Sequence, residues 1–221
     1  MVTTLAIRER YLLYCPLKMQ ERLSRRWLVA VAAAYVVLHH NGTFLSPLGG
    51  PGTTRWIDWF DLSTPLLVLL PSAGLLRCVG GTVHQWVLWL VGAVAYTEGH
   101  GLHLAANSIY HAAPSDTAHL WDEVVGHLVW YSGFWVIVAV LAAALAKTTL
   151  PLSPIGLLLA ALVGVTHATN GIGADMPVPV IAVVIAIALI GYGLYLRSDT
   201  GRYLALSYTI AILTMTVAVI A

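Results

Sequence analysis

Charge is scarce in this sequence. Eleven Lys and Arg and ten Asp and Glu make up 10% of its 221 residues, against about 25% in an ordinary soluble domain. Hydrophobic residues account for 59%, and the mean hydropathy is +0.82. A soluble domain of this size leaves roughly 30% of its unfolded surface exposed and could not hide so much apolar area. The same figures exclude a disordered chain. A net charge of +1 excludes a strongly basic nucleic-acid binder. Cysteine is nearly absent. Cys15 and Cys78 form no metal motif, and both fall on the side read below as cytoplasmic, where a disulfide is not expected. There is no Cys-x-x-Cys-His haem attachment site and no clustered HxxHH-type box of iron oxygenases and desaturases. The last hydrophobic segment has no lysine for a retinal Schiff base, and neither a repeat nor a second domain is visible.

What remains is an all-α polytopic membrane protein, whose length accommodates about seven spans of ~20 residues. Seven hydrophobic segments are present, at about 26–40, 63–78, 83–109, 118–146, 152–172, 176–196 and 202–221. Pro71 lies inside the second, where it would kink a helix. Pro151 and Pro154 open the fifth, and Pro177 and Pro179 the sixth, the place where proline fits best. Residues 1–25 form a basic segment, read either as an amphipathic helix on the inner leaflet or as a charged tail. Ser24-Arg25-Arg26-Trp27 has the look of a twin-arginine signal without a cleavage region. Asn41-Gly42-Thr43 reads as a turn that also satisfies a glycosylation sequon.

The few cations orient the bundle. Arg8, Arg10, Lys18, Arg22, Arg25, Arg26, Arg77, Lys147, Arg197 and Arg202 all fall on one side of a seven-span topology, and Arg55 alone on the other. The positive-inside rule makes the first side cytoplasmic, with the N-terminus inside and the C-terminus outside. Trp27, Trp86 and Trp89 then mark the inner interface, and Trp56, Trp59 and Trp121 the outer one. The expected location is the plasma membrane, the inner one where there are two.

Nine histidines are the feature that composition does not explain. On this topology only His84 lies toward the inside. His39, His40, His100, His103, His111, His119, His127 and His167 share the outer half, as do Asp58, Asp61, Glu98, Asp116, Asp122, Glu123 and Asp175. His100, His103, Asn107 and His111 recur at i, i+3, i+7, i+11, and His119, Glu123 and His127 at i, i+4, i+8, so each set occupies one helix face. His167 and Asn170 are three apart. Asp122 lies off the His127 face of a regular helix, which ranks Glu123 above it. Glu98 is off the His100 stripe unless Gly99 and Gly101 open a turn. His39, His40, His111 and His119 are accounted for by interfacial position, and Asp61 either caps the second span or folds over the cluster.

Ionisable groups inside a span cost roughly 2.5–3.5 kcal/mol each at its centre, and usually line a cavity, pair or bind something. Three histidines and a carboxylate suit a catalytic zinc with one open position. The expected ligands are His103, His127, His167 and His100, with Glu123, Asp122 or Glu98 as general base or as the group orienting a ligand histidine. A reactive site in the outer leaflet implies a lipid or other amphiphile as substrate, and hydrolysis as the reaction. Iron is the alternative metal. His103 and His127 could instead bind haem b as axial ligands for electron transfer. The same histidines could also line a path for protons or metal ions. The inner halves of the third to sixth spans are nearly free of polar groups, which argues against that path.

Seven spans enclosing a histidine and acid cluster resemble, in architecture, the intramembrane zinc hydrolases that include the alkaline ceramidases and the progestin/adiponectin-type receptors. The resemblance implies a seven-helix fold, a three-histidine zinc with a nearby Asp and Ser, and amide hydrolysis of lipids. That family carries Ser-x-x-x-His on an early span and His-x-x-x-His on the last. Here the last span, RYLALSYTIAILTMTVAVIA, has no histidine. The resemblance therefore covers topology and composition and transfers no individual residue.

Overall fold

The computed structural model describes residues 17–40, 49–148 and 150–220. Most of the 1–25 segment, Cys15 and the Asn41 sequon lie outside the described residues. Those described fold entirely as helices and turns, with no strand among them. The helices are α1 (Leu17–Leu38), a short α2 (Trp56–Asp61), α3 (Thr64–Cys78), α4 (Val83–Ala112), α5 (Asp116–Leu145), α6 (Pro154–Ile172), α7 (Val178–Leu196) and α8 (Asp199–Ile220). Each hydrophobic segment of the sequence coincides with one long helix. The first of them is the second half of a helix that already begins at Leu17.

Five stretches, Trp56–Cys78 and α5 to α8, are long and apolar enough to cross a membrane. The other two long helices are interrupted by polar residues. α1 carries Glu21, Arg22, Arg25 and Arg26 in its first half, and α4 carries His100, His103, Asn107 and His111 in its second. Local chemistry sets several helix starts. Thr82 and Gln85 form a reciprocal capping box at α4. Ser115 accepts from Ala118 N at α5. Ser153 accepts from Gly156 N at α6, with Pro154 in the first turn.

Contacts between helix ends divide the bundle into two poles. At one pole Gln20 Nε2 donates to Cys78 O (3.1 Å), Thr200 Oγ1 to Leu145 O (3.4 Å) and Ser153 N to Tyr203 Oη (2.7 Å). This pole also holds Arg22, Arg25, Arg26, Arg77, Lys147, Arg197 and Arg202. At the other pole His40 Nε2 meets Thr169 Oγ1 (3.3 Å), Arg55 bonds Asn107, and His119 Nε2 lies 2.8 Å from Asp175 Oδ2. Histidines and acids gather there.

Among the described residues the most extensive helix contact is that of α4 with α5, and glycine brings the two backbones together. Gly92 and Gly99 on α4, and Gly126 and Gly133 on α5, are each seven residues apart, which is two helical turns. A Cβ at Gly99 would collide with the backbone of Trp130, and one at Gly133 with that of Gly92 and Tyr96. A Cβ at Gly126 would lie 2.8 Å from His103 N. Small residues at such a seam let backbones approach where lipid provides no hydrophobic drive between helices. Beneath the polar pole, the core is aromatic: Tyr35, Tyr96, Trp130, Tyr131, Phe134 and Tyr208 are all buried.

Gly133→Ala forces this seam apart and is expected to cost about 1–3 kcal/mol, as overpacking does elsewhere. Gly101→Ala on the same helix meets nothing within 4 Å and should gain up to about 1 kcal/mol from helix propensity. Thermal unfolding in detergent, followed by circular dichroism, separates the two; equal effects would remove the seam as a constraint.

Candidate functional site

The site is built on α4 and α5 and begins with an irregularity in α5. Leu120–Gly126 is a π-helical segment, which closes i→i+5 rings and takes up an extra residue per turn. His127 Nδ1 consequently donates to the carbonyl of Asp122, five residues back, at 2.9 Å. The same rotation carries the Asp122 side chain into the α4–α5 seam, where it is 1% exposed. Its Oδ1 lies 2.6 Å from His103 Nδ1, an ion-pair contact outside hydrogen-bond alignment, and neither atom has a hydrogen-bond partner. Its Oδ2 accepts from Asn107 Nδ2 at 2.9 Å.

The network continues outward. Asn107 Oδ1 accepts from Arg55 Nη2. Arg55 also forks onto Asp58, with Nη2 2.7 Å and Nε 3.2 Å from Oδ1. Arg55 Nη1 donates to His111 Nε2 (3.1 Å), which places the His111 proton on Nδ1, and Nδ1 in turn donates to Asn107 O (2.8 Å). Arg55 thus ties the segment before α2 to α4, and through Asn107 to the buried Asp122.

A cavity of about 340 Å³ opens beside this network. His39, Asp61, His100, His103, Glu123 and His127 contribute to its wall. The His103 and His127 rings have centroids 4.5 Å apart. Trp130 is the centre about which the imidazoles are arranged: it stacks on His103 at 5.3 Å, His127 at 5.8 Å and His39 at 5.1 Å, and meets His100 edge-on at 4.9 Å. His100 Nε2 lies 3.4 Å from Asp61 Oδ2, and Asp61 Oδ1 accepts from Thr64 Oγ1 at 2.6 Å. Asp61 therefore holds the side chain of Thr64, the first residue of α3, and faces the cluster. Asn170 Nδ2 and Glu123 Oε2 are buried without a hydrogen-bond partner, and both residues line the cavity. Among the described residues three carboxylates line the wall (Asp58, Asp61, Glu123), with Asp122 behind them, against one cation, Arg55.

The structure brings together five of the residues singled out from sequence: His100, His103, Asp122, Glu123 and His127. Two do not join them. Glu98 is exposed on another face of α4, so Gly99 and Gly101 do not open the helix toward it. His167 is 4% exposed but sits apart from the cavity, packed edge-on to Tyr208 at 5.0 Å and tilted against Trp135 at 6.1 Å. Among the described residues, no three His, Cys, Asp or Glu side chains are disposed to hold a metal ion. Arg55, Asn107 as a partner of Asp122, and Trp130 belong to the site without being picked out by helical phase or ligand spacing. The signals for them were Arg55's lone position opposite every other cation and Trp130's place three residues beyond His127. No protein-family model, curated protein or solved structure matches the chain.

Asp122→Ala strands the Asn107 amide and the His103 ring, and should destabilise the protein by about 1–3 kcal/mol. Glu98→Gln, on an exposed face, should stay within about 0.5 kcal/mol. Chemical or thermal unfolding of the two purified variants checks this, and a silent Asp122→Ala would dissolve the proposed network.

Proposed function

We propose that this chain is a seven-span integral protein of the plasma membrane, with its N-terminus cytoplasmic and its C-terminus outside. On this reading the polar cavity is the active site of a hydrolase acting on a lipid or amphiphile in the outer half of the bilayer. The orientation is supported by the seven cations at one pole of the bundle. The hydrolytic reading rests on one observation, the buried Asp122–His103 pair set against a cavity. The Asp122 carboxylate, 2.6 Å from His103 Nδ1, favours the tautomer with its proton on that atom, which leaves Nε2 to accept one. A water in the cavity is then activated at His103 Nε2. Its oxygen bonds to the acyl carbon of an ester or amide, and its proton passes to the imidazole. The bond to the leaving oxygen or nitrogen breaks as His103 returns that proton to it. The Asn170 Nδ2 amide supplies a donor for the oxygen that becomes negative. Glu123 lies close enough to share the acid–base work, its Oε2 3.8 Å from His127 Nδ1.

A metal-dependent form of the same reaction is favoured by a separate observation. Nδ1 of His103 faces a carboxylate and Nδ1 of His127 donates to a carbonyl, the partnering usual for metal-ligating imidazoles, and the acid-rich wall would attract a divalent cation. His103 and His127 would then be ligands and Glu123 the nearest third, with zinc supplying an acidified water. Because the described residues do not converge as three ligands, no step above depends on it. A haem between His103 and His127 finds no room, since the two rings are in contact.

Purified protein should hydrolyse a long-chain ester or amide presented in mixed micelles. His103→Ala and Asp122→Asn should lower turnover 10²–10⁴-fold, while Glu98→Gln and His167→Phe leave it near wild type. Full turnover in both His103→Ala and Asp122→Asn would refute the assignment. Elemental analysis of the same samples decides the metal: the metal-dependent form requires a stoichiometric metal that is lost in His103→Ala and His127→Ala and kept in His167→Phe.

A further inference from the structure

A second cavity lies nearer the opposite, basic pole. Its volume is also about 340 Å³, and it is lined by α1, α5, α6, α8 and the turn before α6. It exists because α1 packs on α3 and α6 but stands off α5. Leu28, Val31, Val138, Leu141, Leu159 and Leu204 typify its wall, which is almost wholly apolar. At one end Tyr35 stacks on Phe134, with ring centroids 4.2 Å apart, and separates this space from the histidine cavity. At the other end Arg25 lines the mouth, its Nη2 3.4 Å from Glu21 Oε1 in an exposed ion pair. Arg22 and Arg26, on the same turns of α1, are exposed beside it.

An unfilled gap of this size would forfeit the dispersion contacts of every side chain around it. Water does not fill an apolar void that gives it no hydrogen-bond partners. From Arg25 to Tyr35 is ten residues of α1, about 15 Å of helix rise, so the groove is long and narrow and has a cationic rim at one end only. We propose that it binds one anionic phospholipid, with one acyl chain laid between α1 and α5 and the phosphate at Arg25. The cytoplasmic leaflet, where anionic lipids concentrate, is the side on which the orientation above places this rim. The assignment is independent of the hydrolytic reading of the other cavity.

Filling the groove tests this without any assay of activity. Protein purified in mild detergent should retain one phospholipid per chain, enriched several-fold in anionic headgroups over the membrane pool when extracted and analysed by mass spectrometry. Adding phosphatidylglycerol to delipidated protein should raise its melting temperature more than phosphatidylcholine does. Ala160→Phe, which plugs the groove from α6, should abolish both the retained lipid and the shift. Ala32→Phe plugs it from α1 and serves the same purpose if Ala160→Phe does not fold. Arg25→Gln should keep the lipid but lose the preference for anionic headgroups. Equal retention in the wild type and a folded plugged variant, an extract of fatty acid alone, or equal responses to the two lipids would each overturn the proposal.

Discussion

A carboxylate held inside an apolar bundle is the most demanding group in this molecule, and the neighbourhood of Asp122 is arranged to meet that demand. Burying a charge is tolerable only where it is paired and hydrogen-bonded. Asp122 achieves this with one oxygen against His103 and the other on Asn107, and Asn107 is itself held by Arg55 from outside the helix pair. The π-helical segment turns the carboxylate into the seam, and the glycines of α4 and α5 bring the two backbones near enough for short side chains to reach. A loosening of any of these elements leaves an uncompensated polar group in a medium that cannot solvate it.

The aromatic residues perform the complementary task. Trp130 gives four imidazoles a common surface, and Tyr35 with Phe134 closes the floor between a polar space above and an apolar one below. Two cavities of similar volume thus stand almost end to end and differ in nearly every chemical respect. The division that composition suggests, with histidines and acids toward one end and cations toward the other, is in three dimensions a division between two kinds of open pocket.

The helices were legible in the sequence because seven apolar runs separated by turn residues and prolines leave little freedom in an apolar chain. The faces bearing His100, His103 and Asn107 were legible too, since α4 is regular and its phase can be counted. A count of 3.6 residues per turn places Asp122 below Glu123, and this stretch does not keep that count. Nothing in LWDEVVG marks a π-helical segment, and the partners that it lets Asp122 reach on α4 are distant in sequence. Arg55 illustrates the opposite case. It breaks the charge rule that the other ten cations obey, and the exception belongs to the site. His167 satisfied every sequence criterion of depth and polarity. It sits apart because Trp135 and Tyr208 enclose it, a fact of packing between helices that no one-dimensional pattern carries.

The π-helical segment has a further meaning for how α5 is put together. An extra residue in a helix offsets everything before it by about 100° from everything after it. The start of α5, which carries His119 toward Asp175, and the body from His127 onward, which carries Trp130 under the imidazoles, are therefore two cylinders joined out of phase. Their relative rotation is recorded in the count of residues between Leu120 and Gly126 and in no single side chain. A deletion of one residue there would leave both cylinders helical and equally apolar, yet it would swing Asp122 out of the seam. The length of this short stretch carries information of a kind that substitution alone cannot erase.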